Sequence, residues 1–252
     1  MSTQTNTPLG GKTVLITGAA RRVGAVIARK LHAAGANLVL HYRSSAQEAT
    51  SLARELEHAR AGSVKTLQAD LLDVNQLSSL IEAAVGSFGR LDILVNNAST
   101  FYPTPVGEIT ITQWDDLIAT NLRAPLFLSQ AAAPALRQTS GLILNLVDIH
   151  GLRPLKGHPV YSTAKAALVM LTKSLARELA PHVRVNAIAP GPVMWPENPL
   201  DSEAKEKIID QTLLKRLGSP DDVARTALFF AADAPYITGQ ILAVDGGRSV
   251  GW

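Results

Sequence analysis

The stretch KTVLITGAARRVG, Lys12–Gly24, decides the architecture of this chain. Lys12–Thr17 is a short, apolar, β-rich run; Gly18, Ala19 and Ala20 break it, and a helical pattern follows to Ala34. So short an apolar run, bounded by a turn, predicts a strand buried on both faces. Strand, glycine turn and helix in that order aim a helix N-terminus past the strand end, where free N–H groups and the helix dipole favour a phosphate. The signal is weak alone. Gly18 can serve a tight turn only, and Arg22 stands where a phosphate loop usually has its middle glycine.

Outward from this unit the same alternation repeats. Strand-like segments occupy residues 37–42 (NLVLHY), 63–70 (SVKTLQAD), 91–97 (LDILVNN), 142–149 (LILNLVDI), 183–190 (VRVNAIAP) and 241–247 (ILAVDGG). Helical patterns lie between them at 45–60, after Asp70, at 112–136, at 161–180, and near 201–214 and 220–232. The expectation is an α/β fold: one Rossmann-type, doubly wound parallel sheet with helices on both faces, spanning residues 1–252. Residues 1–10 read as a flexible tail and 192–215 as a substrate loop with helices. The helices at Tyr161–Ala180 and Ala124–Leu136 are apolar nearly all round, which predicts one face on the sheet and the other on a second chain.

Composition removes several function classes. With 252 residues, 46% of them hydrophobic, the chain can bury a full core. The absence of cysteine excludes disulfides, thiolate zinc sites and a cysteine nucleophile. His32, His41, His58, His150, His158 and His182 show no metal-ligand spacing with carboxylates, so no metal site is expected. The net charge of +3 is scattered rather than gathered into a basic stripe, which argues against a nucleic-acid partner. The opening lacks a signal-peptide pattern and no run approaches a membrane span, so the expectation is a cytoplasmic protein without a membrane partner.

Two clusters carry chemistry. The second strand ends His41-Tyr42-Arg43-Ser44-Ser45, where an NAD site usually places an acid. A guanidinium beside hydroxyls suits a 2′-phosphate and favours NADPH over NADH, with a solvated loop arginine as the equal alternative. Further on, Tyr161 and Lys165 share one helix face, and an ammonium beside a phenol predicts a lowered tyrosine pKa suited to acid/base work. Asp148 ends a strand thirteen residues before Tyr161, and Asn97 and Asn121 lie near other strand ends.

With these residues the chain resembles the short-chain dehydrogenases/reductases, from Thr17-Gly18…Gly24 through Asn96-Asn97-Ala98, Asn121, Tyr161-x-x-x-Lys165 and Pro190-Gly191 to Asp245-Gly246-Gly247. The resemblance implies that Tyr161 is the acid/base, that Lys165 binds the nicotinamide ribose and tunes it, and that Asn121 supports a water chain. It places NADPH along Gly18, Arg22, Val23 and Gly24, then His41, Tyr42, Arg43 and Ser44. Asp70 and Leu71 border the adenine, Asn97, Ala98 and Ser99 the ribose side, and Pro190 and Gly191 the far end.

Three positions depart from the family pattern: Asp148 replaces the usual serine, Arg22 the middle glycine, and Trp195 a threonine. Together with NNASTFYPTP (96–105) and GPVMWPE they are similar to pteridine reductases. This implies reduction of C=N bonds in an oxidised pterin or dihydropterin, with folate and dihydrofolate as further candidates, in a homotetramer. Asp148 then donates or relays a proton, and Phe101 stacks on the flat ring opposite the nicotinamide. Arg22 and Ser99 bridge cofactor phosphate and the pterin edge, and Trp195 begins the loop over the substrate tail. Two readings stay open beside it: a carbonyl reductase acting on a ketone or 3-oxoacyl thioester, and a dinucleotide-binding protein without activity. In relatives a C-terminal arginine can reach a neighbouring subunit's site; whether Arg248 in the tail RSVGW does so stays open too.

Overall fold

The computed structural model describes residues 7–196 and 201–251. Met1–Asn6 of the expected tail, 197–200 of the expected substrate loop and Trp252 lie outside the described residues.

Seven strands form one parallel sheet: β1 Thr13–Ile16, β2 Asn37–Tyr42, β3 Val64–Gln68, β4 Ile93–Asn96, β5 Leu142–Leu146, β6 Arg184–Pro190 and β7 Ile241–Val244. Their order is β3-β2-β1-β4-β5-β6-β7. Ile16 pairs with Leu40 on one side and Val95 on the other, so the chain reverses its direction of winding between β1 and β4. Open α/β sheets bind ligands at such a reversal, beyond the carboxyl ends of the strands.

Strand alternation divides the core in two. Val14, Ile16, Leu38, Leu40, Ile93 and Val95 face one layer, under α1 (Arg22–Ala33), α2 (Ala46–Ala59) and α8 (Pro220–Ala232). Leu15, Val39, Leu94, Ile143 and Val185 face the other, under α3 (Val74–Phe88), α5 (Ala124–Gln138) and α6 (Pro159–Leu179). Burial on both faces explains why these strands read as continuous apolar runs rather than as alternating ones.

Two expectations need correction. Residues 7–10 are no flexible tail: Leu9 is fully buried in the first layer and its N–H donates to the Ala34 carbonyl at 2.9 Å. The helix expected at 112–136 is also not continuous. α4 (Ile111–Ile118) opens on a capping box of Thr110 and Gln113, passes through a π-turn at Ala119–Arg123, and continues as α5. Such one-residue insertions gather at functional sites, and this one carries Asn121, which is fully buried. The short α7 (Ser202–Asp210) has no buried residue.

Candidate active site

A cavity of about 440 Å³ runs along the carboxyl edge of the sheet, past the ends of β1 to β6. Its nucleotide-facing half is built by close backbone packing. Gly18 has φ +61°, and a Cβ there would stand 3.0 Å from Ala98 Cα. A Cβ on Gly24 would meet the Gly18 carbonyl oxygen and Asn97 Nδ2 at 2.6 Å each, so helix α1 can lie against the loop only with glycine there. The Asn97 amide donates to the carbonyls of Thr17 (2.8 Å) and Gly18 (3.0 Å), and the Thr17 hydroxyl accepts from the Asn97 and Ala98 N–H groups. The end of β4 is thereby tied to the turn after β1.

Arg22 begins α1 in the left-handed region, φ +53°, which a residue with a side chain occupies at a cost of about 1–2 kcal/mol. That backbone shape is why a glycine is usual there. The guanidinium lines the cavity and donates to the Trp195 carbonyl at 3.0 Å. Val23, Tyr42, Arg43, Ser44, Asp70 and Leu71 line the same half. Arg43 is exposed, its carbonyl held by Gln68 Nε2 at 2.9 Å. His41 lines the cavity too, but both its ring nitrogens are taken up by backbone groups.

The opposite half is a chain of side chains. The Tyr161 hydroxyl donates to Asp148 Oδ2 at 2.8 Å, and Asp148 Oδ1 accepts from the His150 N–H at 2.8 Å. The Ser99 hydroxyl donates to Asn121 Oδ1 at 2.6 Å, while Asn121 Nδ2 donates to the Thr100 and Leu117 carbonyls. Lys165 Nζ is buried, donates to the Leu146 carbonyl at 2.9 Å, and stands 5.7 Å from the Tyr161 ring centre.

Charge in this half differs from the sequence expectation. Burial first, then the Asp148 carboxylate, hold the Tyr161 phenol well above its usual range; the Ser99 hydroxyl opposes them. The lowering expected from Lys165 does not appear, because burial outweighs it and Asp148, not the ammonium, is the phenol's hydrogen-bond partner. Burial brings the Lys165 ammonium down to about 8, with Asp148 pulling the other way. The Tyr161 phenol therefore keeps its proton and donates it in a hydrogen bond to the Asp148 carboxyl group.

The structure brings Asn97, Ala98, Ser99, Asp148, Tyr161, Lys165, Pro190 and Gly191 onto one cavity. Asn121 joins them through Ser99. Phe101 stands at its edge, 51% exposed, edge-on to Tyr161 at 4.8 Å. One of its faces is stacked on His158, at 4.7 Å and 8°. No spacing in the sequence pairs those two residues; the only hint is a ring placed just before Pro159 at a helix start. Met194 rather than Trp195 lines the cavity, and Lys205 Nζ lies 5.9 Å from the Trp195 ring centre. Arg248 is buried within its own chain, donates to Gln211 Oε1 at 2.9 Å, and lies within electrostatic reach of Asp148. Among the described residues no group of three potential metal ligands occurs.

A doubly wound parallel sheet whose carboxyl edge carries a Tyr–Lys pair and a glycine turn on one cavity marks a nucleotide-dependent oxidoreductase. A family profile described as enoyl-(acyl carrier protein) reductase matches residues 18–249. The 3-oxoacyl-[acyl-carrier-protein] reductase FabG of Staphylococcus aureus is 38% identical, over 94% of this chain and 97% of its own. Pteridine reductase 1 of Leishmania tarentolae is 37% identical, over 94% and 96%. Among solved structures, a blue fluorescent protein from a metagenomic library, in complex with NADPH, superposes with a TM-score of 0.90 at 35% identity, covering 96% of this chain and 99% of that one. The chain belongs to the short-chain dehydrogenase/reductase family.

Proposed function

We propose that this protein is an NADPH-dependent pteridine reductase that reduces an oxidised pterin or dihydropterin, with folate and dihydrofolate as related substrates. The observation that carries the reading is the 2.8 Å hydrogen bond from Tyr161 to Asp148 in the cavity wall. Overall identity cannot choose, since 38% to a 3-oxoacyl reductase and 37% to a pteridine reductase are equivalent. Local chemistry supports the pterin.

The residues present fit a dinucleotide: the glycine turn at Gly18 lines the cavity beside the start of helix α1, and Arg43 and Ser44 line it at the end of β2, where an NAD site usually has an acid. Arg43 suits a 2′-phosphate, and the NADPH bound by the metagenomic relative supports the same choice. When bound, the dihydronicotinamide supplies the hydride. Everything else falls to the chain. Phe101, half exposed beside Tyr161, is the ring available to stack on a flat substrate, a contact worth about 0.5–1.5 kcal/mol beyond area burial. Tyr161 Oη shares its proton in a hydrogen bond with Asp148 Oδ2, so once the phenol has given that proton to a ring nitrogen, Asp148 can pass one taken up from water back to the phenolate oxygen. A serine hydroxyl in place of Asp148 would be a poorer proton source. Asn121 fixes the Ser99 hydroxyl beside the phenol.

The second reading, a 3-oxoacyl reductase, is favoured by the S. aureus relative. Rates of NADPH oxidation with dihydrobiopterin and with an acetoacetyl thioester, with NADH in parallel, decide between them. The pterin reading expects turnover with NADPH and dihydrobiopterin, and a loss of about 10²-fold or more in Asp148→Ser. Turnover of the thioester alone, or full pterin activity in Asp148→Ser, overturns it.

The quaternary proposal is a homotetramer in the cytoplasm. Met170 on α6 is 60% exposed, and Ile111 and Trp114 on α4 are exposed as well, apolar surface of the kind that a second copy covers. No helix among the described residues is long and apolar enough to cross a membrane.

A further inference from the structure

The imidazole of His41 is buried, 2% exposed, near the carboxyl end of β2. Its Nδ1 accepts from the Gly18 N–H at 3.2 Å, and its Nε2 lies 3.1 Å from the Ala69 carbonyl oxygen. The carbonyl of the same residue accepts the next amide of the loop, Ala19 N–H, at 3.0 Å. These contacts decide the tautomer. A backbone N–H can donate only to a lone pair, so Nδ1 is bare and Nε2 carries the proton that it donates to Ala69. Burial keeps the ring neutral, against the smaller pull of the Ala69 bond and the Asp70 carboxylate.

With both nitrogens spent on backbone, the ring has no hydrogen bond left for a ligand. Yet it joins two walls of one cavity: the turn at Gly18 and the segment Ala69–Leu71, which follows β3. On the far side of that turn stands Ala98, so Gly18 is clamped between His41 and the end of β4. A loop that recognises phosphate through backbone N–H groups works only if those groups are already aimed, because aiming them on binding lowers affinity.

We propose that His41 is a positioning residue of the nucleotide site, a neutral strut that holds the phosphate turn and the Ala69–Leu71 wall as one rigid edge. The proposal rests on the reading of this cavity as an NADPH site. It differs from direct cofactor contact, which the sequence alone suggested for His41.

The test uses His41→Leu and His41→Asn in the full chain, with NADP⁺ titrated by calorimetry and the reaction followed at steady state. Leucine removes the acceptor for Gly18. Asparagine places its Oδ1 close to where Nδ1 stood. The expectation is a rise of about tenfold in Kd and in the KM for NADPH for His41→Leu, and within about threefold for His41→Asn. Neither variant should change kcat by more than about twofold, nor shift the KM of the second substrate. Wild-type affinity in His41→Leu, or equal damage in both variants, overturns the proposal. Should His41→Leu fail to fold, ¹⁵N-resolved spectra of the wild-type imidazole decide instead: an Nε2–H tautomer supports the strut, an Nδ1–H tautomer overturns it. Absence of NADP⁺ binding by the wild-type protein would remove the NADPH reading itself, an outcome distinct from binding that ignores residue 41.

Discussion

The two halves of the cavity are built on different principles. Around Gly18 and Gly24 the wall is backbone against backbone, with no room for a Cβ. Around Tyr161 it is a run of polar side chains, Asp148 to Tyr161 and Ser99 to Asn121, with the buried Lys165 beneath. The first kind of wall recognises a ligand by shape and admits almost no substitution. The second offers a set of protons, so on the proposed pterin reading exchanging one side chain, a serine for Asp148, is expected to change which bond is reduced while leaving the fold alone.

That contrast can be broken in four places. The largest effect is expected from Tyr161→Phe, which keeps the ring against Phe101 and removes the proton. Turnover should fall by about 10³-fold with nucleotide affinity unchanged, as stopped-flow and titration would show. Gly24→Ala attacks the other wall: the added methyl must displace the Gly18 carbonyl, and about 2–3 kcal/mol of stability should go together with nucleotide binding. Unfolding by urea with and without NADP⁺ separates those two losses.

Lys165→Met should do the opposite of a wall mutation. Its ammonium is brought to about 8 from an ordinary 10.5, so between those values the unfolded chain holds more protons than the folded one. The penalty of the buried charge is full below pH 8 and fades as pH rises toward 10.5. Allowing for the Leu146 carbonyl left without its donor, the methionine variant should be about 2 kcal/mol more stable at pH 7, inactive, and no more stable than wild type near pH 10.5. A variant less stable at pH 7 would mean that the ammonium is a net support. Smallest is Arg22→Gly, which relieves the left-handed backbone: a gain of about 1 kcal/mol or less, roughly 2–4 °C in Tm, with pterin turnover reduced. An unchanged rate on pterin would return Arg22 to a surface role.

The sequence is an uneven guide to the two walls. The seven strands stand where the strand-like runs are, β2 with the bounds of NLVLHY and α8 with those of residues 220–232. For the inner strands β1, β2, β4, β5 and β6 burial on both faces leaves a signal that neighbours cannot disguise, whereas the edge strands β3 and β7 are partly exposed. The glycine turn was legible from its place between a strand-like run and a helical pattern. Side-chain partnerships were legible only in part. A spacing of four brought Lys165 beside Tyr161, and the resemblance set Asp148 beside the same phenol, as the structure does. Yet burial first, and then Asp148, move the phenol's pKa up where the ammonium alone predicted a fall. The stack of Phe101 on His158, and Arg248 within its own chain, depend on loops whose paths no periodicity describes. Leu9 was missed because one leucine among glycines and polar residues carries no pattern.

The π-turn between α4 and α5 has a geometric consequence of its own. One surplus residue advances a helix by about 100° in azimuth, so the segments before and after it are out of phase. α4 spends its inward side on Leu117, packed with Val160 and Tyr161, whereas α5 turns Leu128 and Leu136 toward the sheet. A regular helix could serve only one of these neighbours. The irregularity lets a single rod hold Tyr161 at one end and the second core layer at the other, with Asn121 seated at the joint.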